Sequence, residues 1–411
     1  MICKYVLDNK IRVVFEQNKH FNSATVGVWV GVGSRDEVKE NNGIAHMIEH
    51  MLFKGTKTRT ASDIAISTAV LGGNLNAYTS KECTSFYCKT LKEYILEAID
   101  IIGDMICNPL LDENDLKKEK GVVCEEIDMY NDSAEDYVHE YLQMKAWKNH
   151  PLGFLISGEK KIVRKFTRDD LIDFMSNHYV GENIVISVAG NFDKEQVLKQ
   201  IEKSFSGLRP TPKDITKVQK RTAPVYTPVH IERKQDIEQI HLNIAFEIPS
   251  FVDEVRYEFT IINAILGGDV NSRLFQKIRE DRGLTYNICS YGSAFSDTGL
   301  FHIYGALNPN QLERVMKLIK GIIADLVKKG ITKEEFENAK KQVITEMTLN
   351  QDNTVNLMNS NAKSIMFYNK IYTFKDSMKA INDVTIESVN KCIRDYLVID
   401  KMSVAIAGKV Q

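Results

Sequence analysis

The chain is 411 residues long, 43% hydrophobic and 26% charged, a balance that excludes a disordered, collagenous or membrane-spanning protein. Lys+Arg 53 against Asp+Glu 55 leaves a formal charge of −2 with both signs interleaved, so neither nucleic acid nor anionic lipid is an expected partner. Seven cysteines (Cys3, Cys83, Cys88, Cys107, Cys124, Cys289 and Cys392), an odd number without a C-x-x-C pair, read as reduced thiols. The N-terminal MICKYVLDNKIRVVFEQNKH lacks the apolar core of a signal peptide, and no stretch reaches the ~18 apolar residues of a membrane span. The expectation is a cytoplasmic protein.

In chain order, the strand-like SATVGVWVGVG leads into the helical GIAHMIEHMLFKG. Two strands over NAYTSKECTSFYCKTL then precede the helix KEYILEAIDII, the charged helix DENDLKKEKGVVCEEIDM and the closing TRDDLIDFMSNHYVGENIVISVAGNFD. Four of the eight prolines lie between Pro210 and Pro228, in a polar stretch that reads as a linker over residues 209–229. The order then repeats. QIHLNIAFEI leads into YEFTIINAILGGD, YNICSYGSAFSDTGLFHIYGAL precedes LERVMKLIKGIIADL, TKEEFENAKKQVITEM follows, and TIESVNKCIRDYLVIDKMSVAIAGKV closes the chain. Strand, helix, strands, helices, strand in each half predicts two α+β domains of similar topology, residues 1–208 and 230–411.

His46-Met47-Ile48-Glu49-His50 lies where Ile44, Met47, Ile48, Met51 and Leu52 recur at helical spacing. Positions four apart share a helix face, so His46 and His50 can present nitrogens to one metal ion. Glu49 stands beside that point, placed to take a proton from water there. A surface helix with two incidental histidines would read the same way. Catalytic zinc usually takes three protein ligands, and the helix Asp112 to Met129 offers Glu119, Glu125 and Glu126. Glu119 and Glu126, seven apart, share a face; Glu126 is the expected ligand and Glu119 the carboxylate that orients a ligand histidine or the water. Lys117, Lys118, Glu119 and Lys120 also fit an ordinary solvated face. Gly31-Val32-Gly33 does not make a dinucleotide site, because Asp36 stands where the third glycine would be. His139, His150 and His178 have no partner at ligand spacing and read as structural or surface histidines, and the methionines as core filler.

The inverted His46-x-x-Glu49-His50, followed by Glu126 with Glu119 seven before it, resembles the inverzincin zinc peptidases of the pitrilysin or M16 family, which includes insulin-degrading enzyme and the mitochondrial processing peptidases. GIAHMIEHMLFKGT, LGGNLNAYTSKECTSFY and SRLFQKIREDRGLTYNICSY resemble the short bacterial members, and the likeness covers nearly the whole chain. The resemblance implies a LuxS/MPP-like fold that forms one half of a clamshell, with one zinc ion per chain. It also implies a metalloendopeptidase that hydrolyses short or unfolded peptides. Asn76, Ala77, Tyr78 and Thr79 would form an edge strand that pairs with peptide substrate, after a turn at Gly72 and Gly73. Arg279 and Tyr286 would hold substrate carbonyls and support the transition state, although Arg282 rivals Arg279 on residue type alone. Aligning the halves puts Thr260, Asn263 and Ala264 opposite His46, Glu49 and His50, with Glu346 opposite Glu126 and Ala339 opposite Glu119, so the second domain is expected not to bind metal. Larger family members join two such halves; a homodimer with composite active sites is the expected equivalent. The alternative within the family is a non-catalytic peptide-binding or scaffold subunit.

Overall fold

In the computed structural model, which describes residues 2–72 and 74–409, the strand-forming runs assemble into two mixed sheets. The first contains β1 (Ile2–Val6), β2 (Arg12–Gln17), β3 (Ser23–Val30), β4 (Asn74–Thr79), β5 (Thr84–Leu91) and β6 (Ile184–Gly190), in the order β1-β2-β6-β3-β5-β4. The second contains β7 (His230–Lys234), β8 (Ile240–Ile248), β9 (Thr285–Ala294), β10 (Gly299–Leu307) and β11 (Ser403–Gly408), in the order β7-β11-β8-β10-β9. Omitting β1, the two orders correspond strand for strand. In each, the first strand runs parallel to the last-formed one (β2 with β6, β7 with β11) and every other neighbour is antiparallel. The duplicated α+β architecture expected from the repeat is the one observed.

Several strands are buried along their whole length, including β6, β10 and β11. Such strands need apolar cover on both faces of the sheet. On the first sheet, one face packs with helices Ile44–Leu52, Ile95–Cys107 and Lys194–Phe205 into a core that includes Val26, Val28, Ile48, Met51, Ile99 and Ile102. The opposite face is covered by helix Thr354–Tyr368, whose Leu357, Met358, Ala362 and Ile365 meet Val14, Trp29 and Val185. Trp29 Nε1 donates to Met358 Sδ at 3.4 Å, and the Thr25 and Thr354 hydroxyls are 2.8 Å apart. On the second sheet, Phe246, Phe301, Ile262, Ile319 and Ile393 build the main core. Helix Ala134–Ala146 covers its other face through Val138, Leu142 and Ala146 against Ala245, Leu300 and Ala405.

The chain therefore divides into two compact units that are not contiguous. One comprises Met1–Asp128, Phe154–Arg221 and Asn350–Tyr372; the other Met129–Gly153, Thr222–Leu349 and Thr373–Gln411. This differs from a simple cut on either side of residues 209–229. Helices 134–146 and 354–368 each complete the sheet of the opposite half of the sequence, because each sheet has a second apolar face to bury. The proline-rich stretch is itself shared, with residues up to Arg221 packed in the first unit. There Arg221 makes a two-toothed 2.8 Å contact with the Asp36 carboxylate. All seven cysteines are free thiols, and no described helix is long and apolar enough to cross a membrane.

Candidate metal centre

Helix Ile44–Leu52 carries both histidines. It starts at Gly43, whose φ of +98° suits glycine, and a Cβ there would lie 2.8 Å from the Ser157 carbonyl. Gly43 offers no side chain to cap the helix. Glu37, fully buried six residues upstream, caps it instead: Oε2 accepts from Gly43 N–H and Asn42 Nδ2 at 2.8 Å each, and Oε1 from Ala45 N–H at 2.9 Å. Burial pushes the Glu37 carboxyl up to about 8, against the pull of these three donors. The apolar face (Ile44, Met47, Ile48, Met51, Leu52) is locked into the core, which turns the histidines toward the long helix Glu113–Asp132.

On that helix Glu125 is exposed, whereas Glu126 is half-buried and Glu119 buried. His46 Nε2 lies 3.7 Å from Glu126 Oε1, and His50 Nε2 lies 3.5 Å from Glu126 Oε2. One ligand atom from each of His46, His50 and Glu126 falls within 4.8 Å of the others, and this is the only such group of three among the described residues. Donors ~2.0–2.1 Å from a tetrahedral zinc lie about 3.3 Å from one another, so contacts too long for hydrogen bonds suit ligands around a shared ion. Glu119 Oε2 is 3.2 Å from His50 Nδ1, which leaves Nε2 for the metal position. Glu119 Oε1 is 2.7 Å from Lys54 Nζ. The set of donors fits zinc.

Glu49 stands outside this group of three, with Thr79 Oγ1 donating to Glu49 Oε2 at 2.6 Å. Burial raises the Glu49 pKa, and the Thr79 hydrogen bond opposes that shift. His46 is lowered to about 4, by burial first and then by His50, with Glu126 pulling the other way. At His50 burial also disfavours charge, but the neighbouring carboxylates of Glu126, Glu119 and Glu49 outweigh it and raise the pKa.

Asn76, Ala77, Tyr78 and Thr79 all lie on β4, the terminal strand of its sheet, paired with β5 on one side. Asn76 is exposed, and Tyr78 packs edge-on against Trp29 with ring centroids 5.9 Å apart. Gly72 has φ +62° in the turn before β4; Gly73 lies outside the described residues. In the second unit Arg279 sits in a π-helical turn, Phe275–Glu280. Its guanidinium stacks at 4.5 Å over the rings of both Tyr286 and Phe275. Tyr286 is 78% exposed. Arg282 instead donates to the Lys277 carbonyl at 2.6 Å. The counterpart positions are occupied with internal contacts: Thr260 Oγ1 donates to Arg256 O, Asn263 Oδ1 accepts from Ser290 at 2.8 Å, and Ala339 is buried. His139, His150 and His178 also have internal partners, in Tyr291, the Thr222 carbonyl and the Phe174 ring.

Three contributors escaped the sequence reading. Lys54 follows His46 and His50 at the same four-residue step, a signal that was available. The Thr79 hydroxyl meets Glu49 only because the fold brings them near, and a carboxylate six residues before a helix start matches no ordinary capping pattern.

Two histidines one turn apart and a glutamate from a second helix make up a donor set that fits zinc, beside a carboxylate held by Thr79, on a duplicated α+β frame. The chain belongs to the M16 peptidase family. Residues 12–160 match the model for insulinase (peptidase family M16), and residues 165–343 that for the peptidase M16 inactive domain. It is 39% identical over 400 residues, 97% of each chain, to the uncharacterized zinc protease YmxG of Bacillus subtilis. An uncharacterized zinc protease of Mycobacterium leprae is 34% identical over 96% of this chain and 89% of its own. In fold, it is similar to a protease from Helicobacter pylori (TM-score 0.92, 21% identity, 99% of each chain). A peptidase M16 inactive domain from Pseudomonas fluorescens is similar too (TM-score 0.92, 19% identity, 100% of this chain and 98% of that one).

Proposed function

We propose that the protein is a zinc-dependent endopeptidase acting on short or unfolded peptides. The observation that carries this reading is the convergence of His46, His50 and Glu126, with Glu49 adjacent but engaged by Thr79. A zinc ion held by those three residues would supply Lewis acidity, polarising a carbonyl and making water a better nucleophile. Glu49 takes the proton of the attacking water and passes it to the leaving amine; burial suits its carboxyl to both steps by raising its pKa. Thr79 holds Glu49 in place, and Glu119 holds the His50 ring through Nδ1. The free edge of β4, from Asn76 to Thr79, offers backbone donors and acceptors to an extended peptide whatever its side chains. Arg279 and Tyr286 donate to the oxyanion as charge develops.

The same reading has two copies closing a chamber as a homodimer in the cytoplasm, with Arg279 and Tyr286 of one chain serving the metal centre of the other. The test is incubation of purified protein with a mixed peptide library, with and without chelator, alongside measurement of zinc per chain. Chelator-sensitive fragments and one zinc per chain support the enzyme. A non-catalytic scaffold would yield neither, and that result would end the proposal.

A further inference from the structure

The geometry points to Lys54 as a positioning residue for the ligand His50, acting through Glu119. This rests on the metal centre proposed above and extends it to a residue outside the ligand set. Lys54 lies just past the end of helix Ile44–Leu52, and its N–H still donates to the Met51 carbonyl at 3.1 Å. The helical turn therefore continues through it. At four residues beyond His50 it falls on the same stripe as His46 and His50, facing the long helix that carries Glu119 and Glu126. Its ammonium is 2.7 Å from Glu119 Oε1, while the other oxygen of that carboxylate is 3.2 Å from His50 Nδ1. The Glu119 side chain is 8% exposed, and that of Lys54 35%.

A buried carboxylate is costly to hold in place without a compensating partner. Lys54 is that partner, and it lets Glu119 serve as a fixed acceptor for the His50 N–H. The ring is thereby fixed in one tautomer and orientation, with Nε2 toward Glu126 and His46.

Charge and positioning predict opposite signs, which makes the inference testable. As a bare positive charge near a divalent cation, Lys54 would repel it, and neutralising the lysine would tighten zinc binding. As a positioning residue, its loss would weaken binding by about 10- to 100-fold, the usual effect of removing a partner that orients a ligand. The experiment measures zinc dissociation constants by chelator competition for the parent, Lys54→Met, Lys54→Arg, Glu119→Gln and the double variant Lys54→Met, Glu119→Gln. Thermal melting of the metal-free proteins is followed in parallel. Lys54→Met is expected to weaken zinc binding, and Lys54→Arg, which keeps the charge facing Glu119, to bind zinc more tightly than Lys54→Met. The double variant should bind no more weakly than Glu119→Gln alone, since the lysine acts through that carboxylate. Unchanged or tighter binding in Lys54→Met, or additive losses in the double variant, would overturn the inference while leaving the metal centre intact. A parent that takes up no zinc would overturn the centre itself, and this inference with it.

Discussion

Replacing Glu49 by glutamine separates the proton carrier from the ligands. The amide retains an oxygen able to accept the 2.6 Å hydrogen bond from Thr79, so the side chain should keep its position. The change leaves the three ligand residues, His46, His50 and Glu126, untouched. Positioned proton transfer contributes roughly 10²- to 10⁴-fold to rate, or about 3 to 5 kcal/mol of barrier at 1.36 kcal/mol per decade. The variant should therefore lose at least two orders of magnitude in kcat while retaining zinc. Stability provides a second readout. Burial raises the pKa of Glu49, so ionising it costs the folded state, and the penalty grows as pH rises above the ordinary carboxylate range toward the folded value. Glutamine carries no such penalty, so the metal-free variant should melt no lower than the parent, with its advantage widening in that direction of pH. The assay pairs zinc content with hydrolysis of a quenched fluorescent peptide. Zinc-loaded Glu49→Gln with near-parental turnover would refute the proton-transfer role; loss of zinc would show that Glu49 is a ligand.

Glu37→Ala removes the acceptor for two backbone N–H groups and the Asn42 amide, and unsatisfied buried donors cost about 1–3 kcal/mol each. Measured near the ordinary carboxyl value of 4.5, where the cost of burying Glu37 is small, the metal-free protein should lose about 3 kcal/mol or more in denaturant unfolding, and an unchanged midpoint there would contradict the capping role. In the second unit, His302 is fully buried, stacks on Tyr291, and is lowered to about 3 by burial and then by His139. An unfolded histidine takes up a proton below its ordinary value of 6.5, whereas the folded one does not until about 3, so its stability contribution is complete above the former and lost as pH falls toward the latter. Unfolding followed over that window should show a slope approaching about 1.4 kcal/mol per pH unit per proton, reduced in His302→Gln; identical slopes would exclude His302 as the source. For the dimer, mixing Glu49→Gln chains with Arg279→Ala, Tyr286→Phe chains should restore peptide cleavage through hybrid dimers. No recovery despite confirmed subunit exchange would mean that each chain supplies its own complete site.

What could be read directly from the residue order is what short-range geometry governs. A helix repeats every 3.6 residues, so His46 and His50 had to share a face, as did Glu119 and Glu126. The repeat of strand and helix patterns likewise marked a duplicated frame, and the matching strand orders bear it out. Thr260, Asn263 and Ala264 already disqualified the second copy as a metal site of this kind. The choice of Glu126 over Glu125 was only half legible, because spacing names a face without saying which face meets the histidines; core packing of the two helices decides that. Which helix covers each sheet was not legible at all. Helices 134–146 and 354–368 are amphipathic in the ordinary way, and their patterns state that an apolar face must be buried but not against what. The Glu37 cap and the Thr79 contact with Glu49 belong to the same category, as does the meeting of Lys54 with Glu119, although the four-residue step from His50 already put Lys54 on the histidine face. Each joins atoms that are distant along the chain or unrelated by any helical period, so it exists only once burial has brought their carriers together.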